Sequence, residues 1–196
     1  MAFSDFVFDF DGTLFRLPVD WEAVRGNLRS VLGSDSSFAP LFGELARVLG
    51  EKPELRGPAF GAIDSFEVAG AALAEPVEGA PDLLRELSRR GKVAIVTMQG
   101  RMALGAVLAK FSLDEVPSAT VTREDSLERS AQIVEAMGRI GAAREGTLFV
   151  GDRVNDVVGG RKAGVKVAVV GRTITGQVRP DYNFLTVGEL SRFLSS

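Results

Sequence analysis

Short β-branched runs recur through the last two-thirds of the chain, and a helix-sized segment separates each from the next. "KVAIVTM" (Lys92–Met98), "SATVT" (Ser118–Thr122), "TLFVGD" (Thr147–Asp152) and "VKVAVVG" (Val165–Gly171) are strand-length. Between them lie "RMALGAVLAKF", "SLERSAQIVEAMGRIG" (Ser126–Gly141) and a short helix ending in "RKAG". "YNFLTV" and "VGELSRFLSS" supply a last strand and helix. In Ser126–Gly141, Leu127, Ile133, Val134, Met137 and Ile140 recur at three- and four-residue steps, the period of an amphipathic helix, and Gly141 is its stop. Strands that alternate with helices across short turns imply a parallel sheet with helices on both faces. The class is therefore α/β.

The segment between Phe15 and Pro76 breaks this rhythm. It has no clear strand and reads as helices interrupted by Gly, Pro and Ser. "VDWEAVRGNLRSVLG" places Trp21, Val24, Leu28 and Val31 on one face, and "PLFGELARVLG" does the same with Leu41, Leu45 and Val48. Pro40 suits a first helical turn. "GSDSS" (Gly33–Ser37) and "GEKPELRGP" (Gly50–Pro58) read as loops, and "EPVEGAP" (Glu75–Pro81) as the second hinge. The expected organisation is an α/β core over residues 1–15 and 77–196, with a small helical cap over 16–76.

Composition narrows the chemistry. The 196 residues contain no Cys and no His, which excludes disulfides, thiolate catalysis, a Ser-His-Asp triad and a His-ligated zinc site. Catalysis must use carboxylates, hydroxyls, Lys, Arg, backbone groups or a hard metal. A net charge of −3 offers no basic field for nucleic acid. No run reaches the length of a membrane span, and Asp5, Asp9 and Asp11 interrupt any secretory pattern at the N-terminus. The expectation is a soluble, cytoplasmic protein with neither nucleic acid nor membrane as partner; oligomeric state is not legible.

Ligands of an open parallel sheet bind at the carboxyl ends of its strands. Four polar features fall at such ends: Asp9 and Asp11 in "FVFDFDGTLF" (Phe6–Phe15), Thr97, "TREDSLER", and Gly151-Asp152. Alternation puts Val7 and Asp9 on one side of the first strand and Phe6, Phe8 and Phe10 on the other, and Gly12 permits a tight turn. Asp152 and Asp156 stand one helical turn apart. Two like charges about 4 Å apart repel by roughly 4 kcal/mol at an effective dielectric near 20, so a cleft holding Asp9, Asp11, Asp152 and Asp156 calls for a divalent cation. An all-oxygen site favours Mg²⁺. Thr97 and the amides after it form a phosphate seat at a helix start, with Arg129 as a compensating charge. Each residue also has a plainer reading: turn formers at Asp9 and Asp11, a strand residue at Thr97, a solvated helix residue at Arg129, a helix cap at Asp156. Trp21 and the leucines of the insertion read as cap packing, and Arg16 and Arg25 as a solvated face.

"DFDGT" (Asp9–Thr13), Thr97 at a strand end and "GDRVNDVVGGRKAG" (Gly151–Gly164) resemble the haloacid dehalogenase-like superfamily, phosphatase branch, in order and in spacing. "PVEGAPDLLRELSRRGKVAIVT" resembles that family's return from a helical cap to the core. The resemblance implies a Rossmann-like parallel sheet with the cap inserted after the first strand. It implies a Mg²⁺-dependent phosphatase of small phosphorylated metabolites, phosphoglycolate phosphatase-like by cap type. Asp9 would form an aspartyl-phosphate, and Asp11 would protonate the leaving oxygen and then activate water. Asp9, the backbone carbonyl of Asp11 and Asp152 would bind Mg²⁺ with support from Asp156, while Gly12, Thr97, Met98 and Arg129 would hold the phosphoryl group. The family's Lys is absent: Arg129 stands at the corresponding spacing, and Arg is not equivalent to Lys. A phosphomutase using the same intermediate, or a phosphate-ligand binding module, are the alternatives.

Overall fold

The computed structural model describes residues 3–195. In chain order the strands are β1 (Asp5–Asp9), β2 (Phe15–Arg16), β3 (Glu75–Pro76), β4 (Lys92–Val96), β5 (Ala119–Val121), β6 (Thr147–Gly151), β7 (Lys166–Val170) and β8 (Tyr182–Phe184). The helices are α1 (Trp21–Leu32), α2 (Leu41–Glu51), α3 (Arg56–Ala72), α4 (Ala80–Arg90), α5 (Arg101–Lys110), α6 (Arg129–Ile140), α7 (Val154–Ala163) and α8 (Val187–Ser195). Among the described residues no helix is long and apolar enough to cross a membrane.

Six strands form one parallel sheet in the order β5-β4-β1-β6-β7-β8, and β1 is central. Its residues alternate between two buried layers. Phe6, Phe8 and Phe10 pack with Val93, Ile95, Leu148 and Val150 on one face. Val7 packs with Ala94, Val96, Phe149 and Val167 on the other. Each of these phenylalanines contributes about 1.5–3 kcal/mol by leaving water. The register aligns the strand ends: Asp9 lies opposite Val96 and Phe8 opposite Val150. Asp9, Thr97 and Asp152 therefore leave the sheet at one level, at its carboxyl end.

The helical cap inserted after the first strand comprises α1, α2 and α3, which share a separate cluster of Val24, Leu28, Phe38, Leu45 and Ile63. Asp20 starts α1 by accepting from the Glu22 and Ala23 amides, the usual role of an N-cap carboxylate. Several local expectations need correction. The stretch Gly50–Pro58 is not a loop: α2 runs to Glu51, a 3₁₀ turn covers Pro53–Leu55, and α3 begins at Arg56. Pro58 is accommodated because the first helical turn has no partner for its missing N–H. Val31 is exposed and Leu32 takes its place inward. The helix expected from Ser126 begins at Arg129, because Leu127 turns away to pack on the cap cluster. Val134 faces solvent while Gln132, Ile133, Ala136 and Met137 are buried.

The ends of the insertion also differ from expectation. β2 and β3 form a two-stranded antiparallel ribbon, with Phe15 opposite Pro76 and Arg16 opposite Glu75. Two residues per strand is too short for any period to register in the sequence.

Candidate active site

The "DFDGT" turn closes directly on the end of β1. Leu14 and Phe15 donate backbone hydrogen bonds to the Phe10 carbonyl. Thr13 Oγ1 donates to Asp9 Oδ2 at 3.2 Å, and Asp9 is buried. Gly12 has φ +89°, and a Cβ there would stand 2.7 Å from Asp152 Oδ2. Glycine is thus required both by the left-handed backbone and by the approach of the second carboxylate. Asp11 points elsewhere: its Oδ1 accepts from the Leu17 amide at 3.2 Å, just past β2.

Asp152 follows β6, and Asp156 lies in the first turn of α7. Asp156 Oδ2 accepts from the amides of Asp152 and Arg153 at 3.2 and 3.0 Å. It therefore caps the helix with one oxygen and keeps the other for the cleft. Gly151 makes this possible, since a Cβ there would meet the Asp156 carboxyl at 2.6 Å. Asp9, Asp152 and Asp156 each offer an oxygen within 4.8 Å of the others. Asp152 Oδ1 is buried without a hydrogen-bond partner among the described residues, although Arg172 Nη2 donates to its Oδ2 at 3.1 Å. Arg153 Nε stands 3.6 Å from Oδ1, an ion pair beyond hydrogen-bond reach, and a buried carboxylate oxygen without a hydrogen bond is costly. An all-oxygen set with such an orphan fits a hard divalent cation. The Asp11 carboxylate stands outside this group.

The electrostatics match. Burial, opposed by Arg129 and reinforced by Asp156, Asp152 and Asp11, leaves the Asp9 carboxyl pushed up to about 8. Burial also raises Asp152, against the nearby Arg153, and raises Asp11 against the Leu17 amide and Arg153.

Arg129, the first residue of α6, meets the carboxylates from the other side. Its Nη2 donates to Asp9 Oδ1 at 2.7 Å, and its Nε lies 3.1 Å from Asp156 Oδ1. The stem of Arg129 runs against Gly159 of α7, where a Cβ would collide with it. Gln132, one turn further and buried, accepts from Arg129 Nη1 at 3.1 Å. It donates through Nε2 to the carbonyls of Thr97 and Ser126 at 2.8 and 2.9 Å. Gln132 was not foreseen; its one sequence signal is a polar residue on the apolar stripe of an amphipathic helix. Thr97 is buried, and its Oγ1 accepts from the Gln99 amide at 3.1 Å.

These residues open into a cavity of about 630 Å³ between core and cap. Asp9, Asp11, Thr97, Met98, Arg129 and Asp156 line it. Gly12 and Asp152 are not among the lining residues, although Gly12 sits against Asp152 beneath it. Trp21 and Arg25 do line it, which revises their reading as packing and solvated face. Trp21 does both, packing on the cap cluster and touching the cavity, and Arg25 is tied to Glu22 at its margin.

Cap and core are locked beside this cavity. Arg123, from the turn after β5, is fully buried and ion-pairs with Asp64 and, at 2.6 Å, with Glu67, both on α3. Glu67 also accepts from the Gly100 amide at 2.8 Å, and Arg123 donates to the Met98 carbonyl at 3.3 Å.

A family model for haloacid dehalogenase-like hydrolases matches residues 60–170, more than half of the chain, and the chain belongs to this family. Pyrophosphatase PpaX from Halalkalibacterium halodurans is 38% identical over 127 residues, which cover 60% of this chain and 59% of that protein. The chain spans less than two-thirds of the length of the curated relatives it matches. Among solved structures, a Clostridium acetobutylicum protein assigned as a phosphatase superposes with TM-score 0.73 at 18% identity, covering 100% of this chain and 99% of that one. YfnB from Bacillus subtilis, assigned as a HAD-hydrolase and solved with magnesium bound, superposes with TM-score 0.67 at 18% identity over 100% of both chains. At such identities these likenesses concern the fold.

Proposed function

We propose that the protein is a Mg²⁺-dependent phosphohydrolase that cleaves a small organic phosphate through an aspartyl-phosphate on Asp9. One observation carries this reading: Asp9 leaves the central strand buried, 2.7 Å from the Arg129 guanidinium and within 4.8 Å of Asp152 and Asp156. In-line attack on phosphorus by an Asp9 carboxylate oxygen forms the acyl phosphate and breaks the phosphorus–oxygen bond to the leaving group. The leaving oxygen takes its proton from Asp11, whose carboxyl burial raises toward the protonated form. Water then attacks the acyl phosphate with Asp11 as base, which releases phosphate and restores Asp9.

Asp9, Asp152 and Asp156, with the Asp11 carbonyl, would hold Mg²⁺, which supplies charge neutralisation at the phosphoryl oxygens. The Met98 amide, which follows Thr97 at the strand end, can donate to a phosphoryl oxygen, while the next three amides are held by Thr97, Glu67 and Glu124; Arg129 adds a fork matched to such oxygens, and Gly12 lets Asp152 close in beneath them. The curated relatives are named as pyrophosphatases, which supports hydrolysis at phosphorus as the reaction class. Release of inorganic phosphate from para-nitrophenyl phosphate, with Mg²⁺ and with a chelator, tests the reading. Mg²⁺-dependent release is expected; no release at any pH with any divalent metal sinks it.

A further inference from the structure

The wall of the cavity opposite Asp9 differs in kind from the wall that carries the carboxylates. Trp21 and Phe42 stand on the cap side, ring centroids 6.2 Å apart and edge-on at 77°. Leu41 and Leu127, which pack on the same cap cluster, continue this apolar wall. We propose that the cavity selects a phosphate monoester whose leaving group carries an aromatic ring or a comparably flat apolar body, seated against Trp21 and Phe42. This inference rests on the phosphohydrolase reading for its chemistry, and on the cavity wall for its specificity.

Size comes first. A cavity of about 630 Å³ falls within the range of roughly 300–1,000 Å³ typical of sites for whole organic ligands. A phosphoryl group displaces only a few water molecules of about 30 Å³ each. Most of the space is thus left for the leaving group.

Charge comes second. A leaving group that is itself a phosphate or a carboxylate needs a cation of its own. The cap brings Arg25 to the cavity, and its Nε and Nη2 are already bound to Glu22 at 3.1 and 2.9 Å. On the core side, Arg129 is paired with Asp9 and Asp156, Arg153 lies 3.7 Å from Asp11, and Lys162 lies 3.6 Å from Glu128. Among the described residues, every cation that lines the cavity has a carboxylate within ion-pair distance, so an anionic leaving group would compete with that carboxylate, while an apolar one meets the rings without such competition. Aromatic side chains offer large apolar surface, and a ligand ring can meet them stacked or edge-on.

A third observation adds one polar requirement. Gln99 lines the same cavity, is buried, and among the described residues has no hydrogen-bond partner for either Nε2 or Oε1. A ring with one polar edge would satisfy a donor and an acceptor that are otherwise left unpaired.

Benzyl phosphate tests the inference without favouring aryl chemistry, because its leaving alcohol is intrinsically close to that of ethyl phosphate. Phosphate release is compared for benzyl phosphate, ethyl phosphate, pyrophosphate and 2-phosphoglycolate at one Mg²⁺ concentration. The expected kcat/KM for benzyl phosphate exceeds each of the others by about tenfold or more, the scale on which apolar pockets discriminate. Phe42→Ala is expected to raise KM for benzyl phosphate and to leave pyrophosphate and ethyl phosphate within about twofold, since their leaving groups do not reach the ring. A preference for pyrophosphate or phosphoglycolate overturns the inference, as does an equal loss on all four substrates. Binding gives a readout that needs no turnover: Trp21 is the chain's single tryptophan, so its fluorescence reports the cavity wall. Benzylphosphonate should change that fluorescence saturably and methylphosphonate should not; identical responses overturn the inference. If no substrate is turned over yet benzylphosphonate still changes the signal, the phosphohydrolase reading fails while the selectivity stands.

Discussion

The side-chain oxygen of Gln132 accepts from Arg129 Nη1 at 3.1 Å while the same guanidinium donates to Asp9 Oδ1 at 2.7 Å. The Gln132 amide nitrogen donates to the Thr97 carbonyl, so one buried side chain fixes both the cation and the strand end that faces it. A guanidinium has three nitrogens to orient where an ammonium has one, and Gln132 occupies the third.

That relationship predicts a dependence. Gln132→Leu should lower kcat for phosphate release with little change in KM. In an Arg129→Lys background the same substitution should cost much less, because Lys has no Nη1 to lose. The coupling from the double-mutant cycle is expected at about 0.5–3 kcal/mol, as for residues in one hydrogen-bond network. Additive effects would leave Gln132 a packing residue only.

Metal binding should appear as stability. The cluster of Asp9, Asp152 and Asp156 repels itself in the metal-free protein. Mg²⁺ at one hundred times its dissociation constant should stabilise the fold by about 2.7 kcal/mol, read as a rise in Tm by scanning fluorimetry and reversed by a chelator. Asp152→Ala should remove most of the rise.

The two acids of "DFDGT" should separate by assay. Asp9→Asn is expected to reduce phosphate release by about a thousandfold or more, the scale of losing a nucleophile. Asp11→Asn should cost about 10²–10⁴-fold, the scale of a general acid. Both variants should retain the Trp21 fluorescence response to benzylphosphonate, since neither residue belongs to the apolar wall.

The cap–core lock predicts a pH dependence. Burial raises Glu67 against the opposing Arg123 charge and the Gly100 amide, with Asp64 raising it further. Folding therefore favours its protonated form. The associated stability is complete below the ordinary value of 4.5 and is lost as pH rises through the raised one. Glu67→Gln should flatten that decline in chemical denaturation. Arg123→Met should steepen it, because the carboxyl loses its main counter-charge, with a cost of about 3–5 kcal/mol at alkaline pH.

Most of the sheet was legible because parallel strands buried on both faces are written as unbroken apolar runs. The carboxylates were legible because strand ends and turns sit at fixed offsets from those runs. What escaped detection depends on distant partners. Nothing in the sequence marks Arg123 as buried, since a fully buried Arg is rare; its partners Asp64 and Glu67 lie 59 and 56 residues away. Leu127 fits a helical period yet turns outward, because the cap cluster offers it a better site. Trp21 is apolar enough to be read as core, and only the cavity it shares with Asp9 and Thr97 of the core gives it a second surface.

The ribbon of β2 and β3 has one more implication. Arg16 and Glu75 are cross-strand neighbours, so the cap hangs from the core as the loop of a hairpin hangs from its strands. Loop-closure entropy grows only slowly with loop length, so such a hairpin tolerates a guest of nearly any size between its strands. A two-residue turn grafted from Arg16 to Glu75 should then leave a core that still folds, with Arg123 newly open to water. The cap is in this sense interchangeable cargo, and the chemistry of the core can be offered to new substrates by exchanging it.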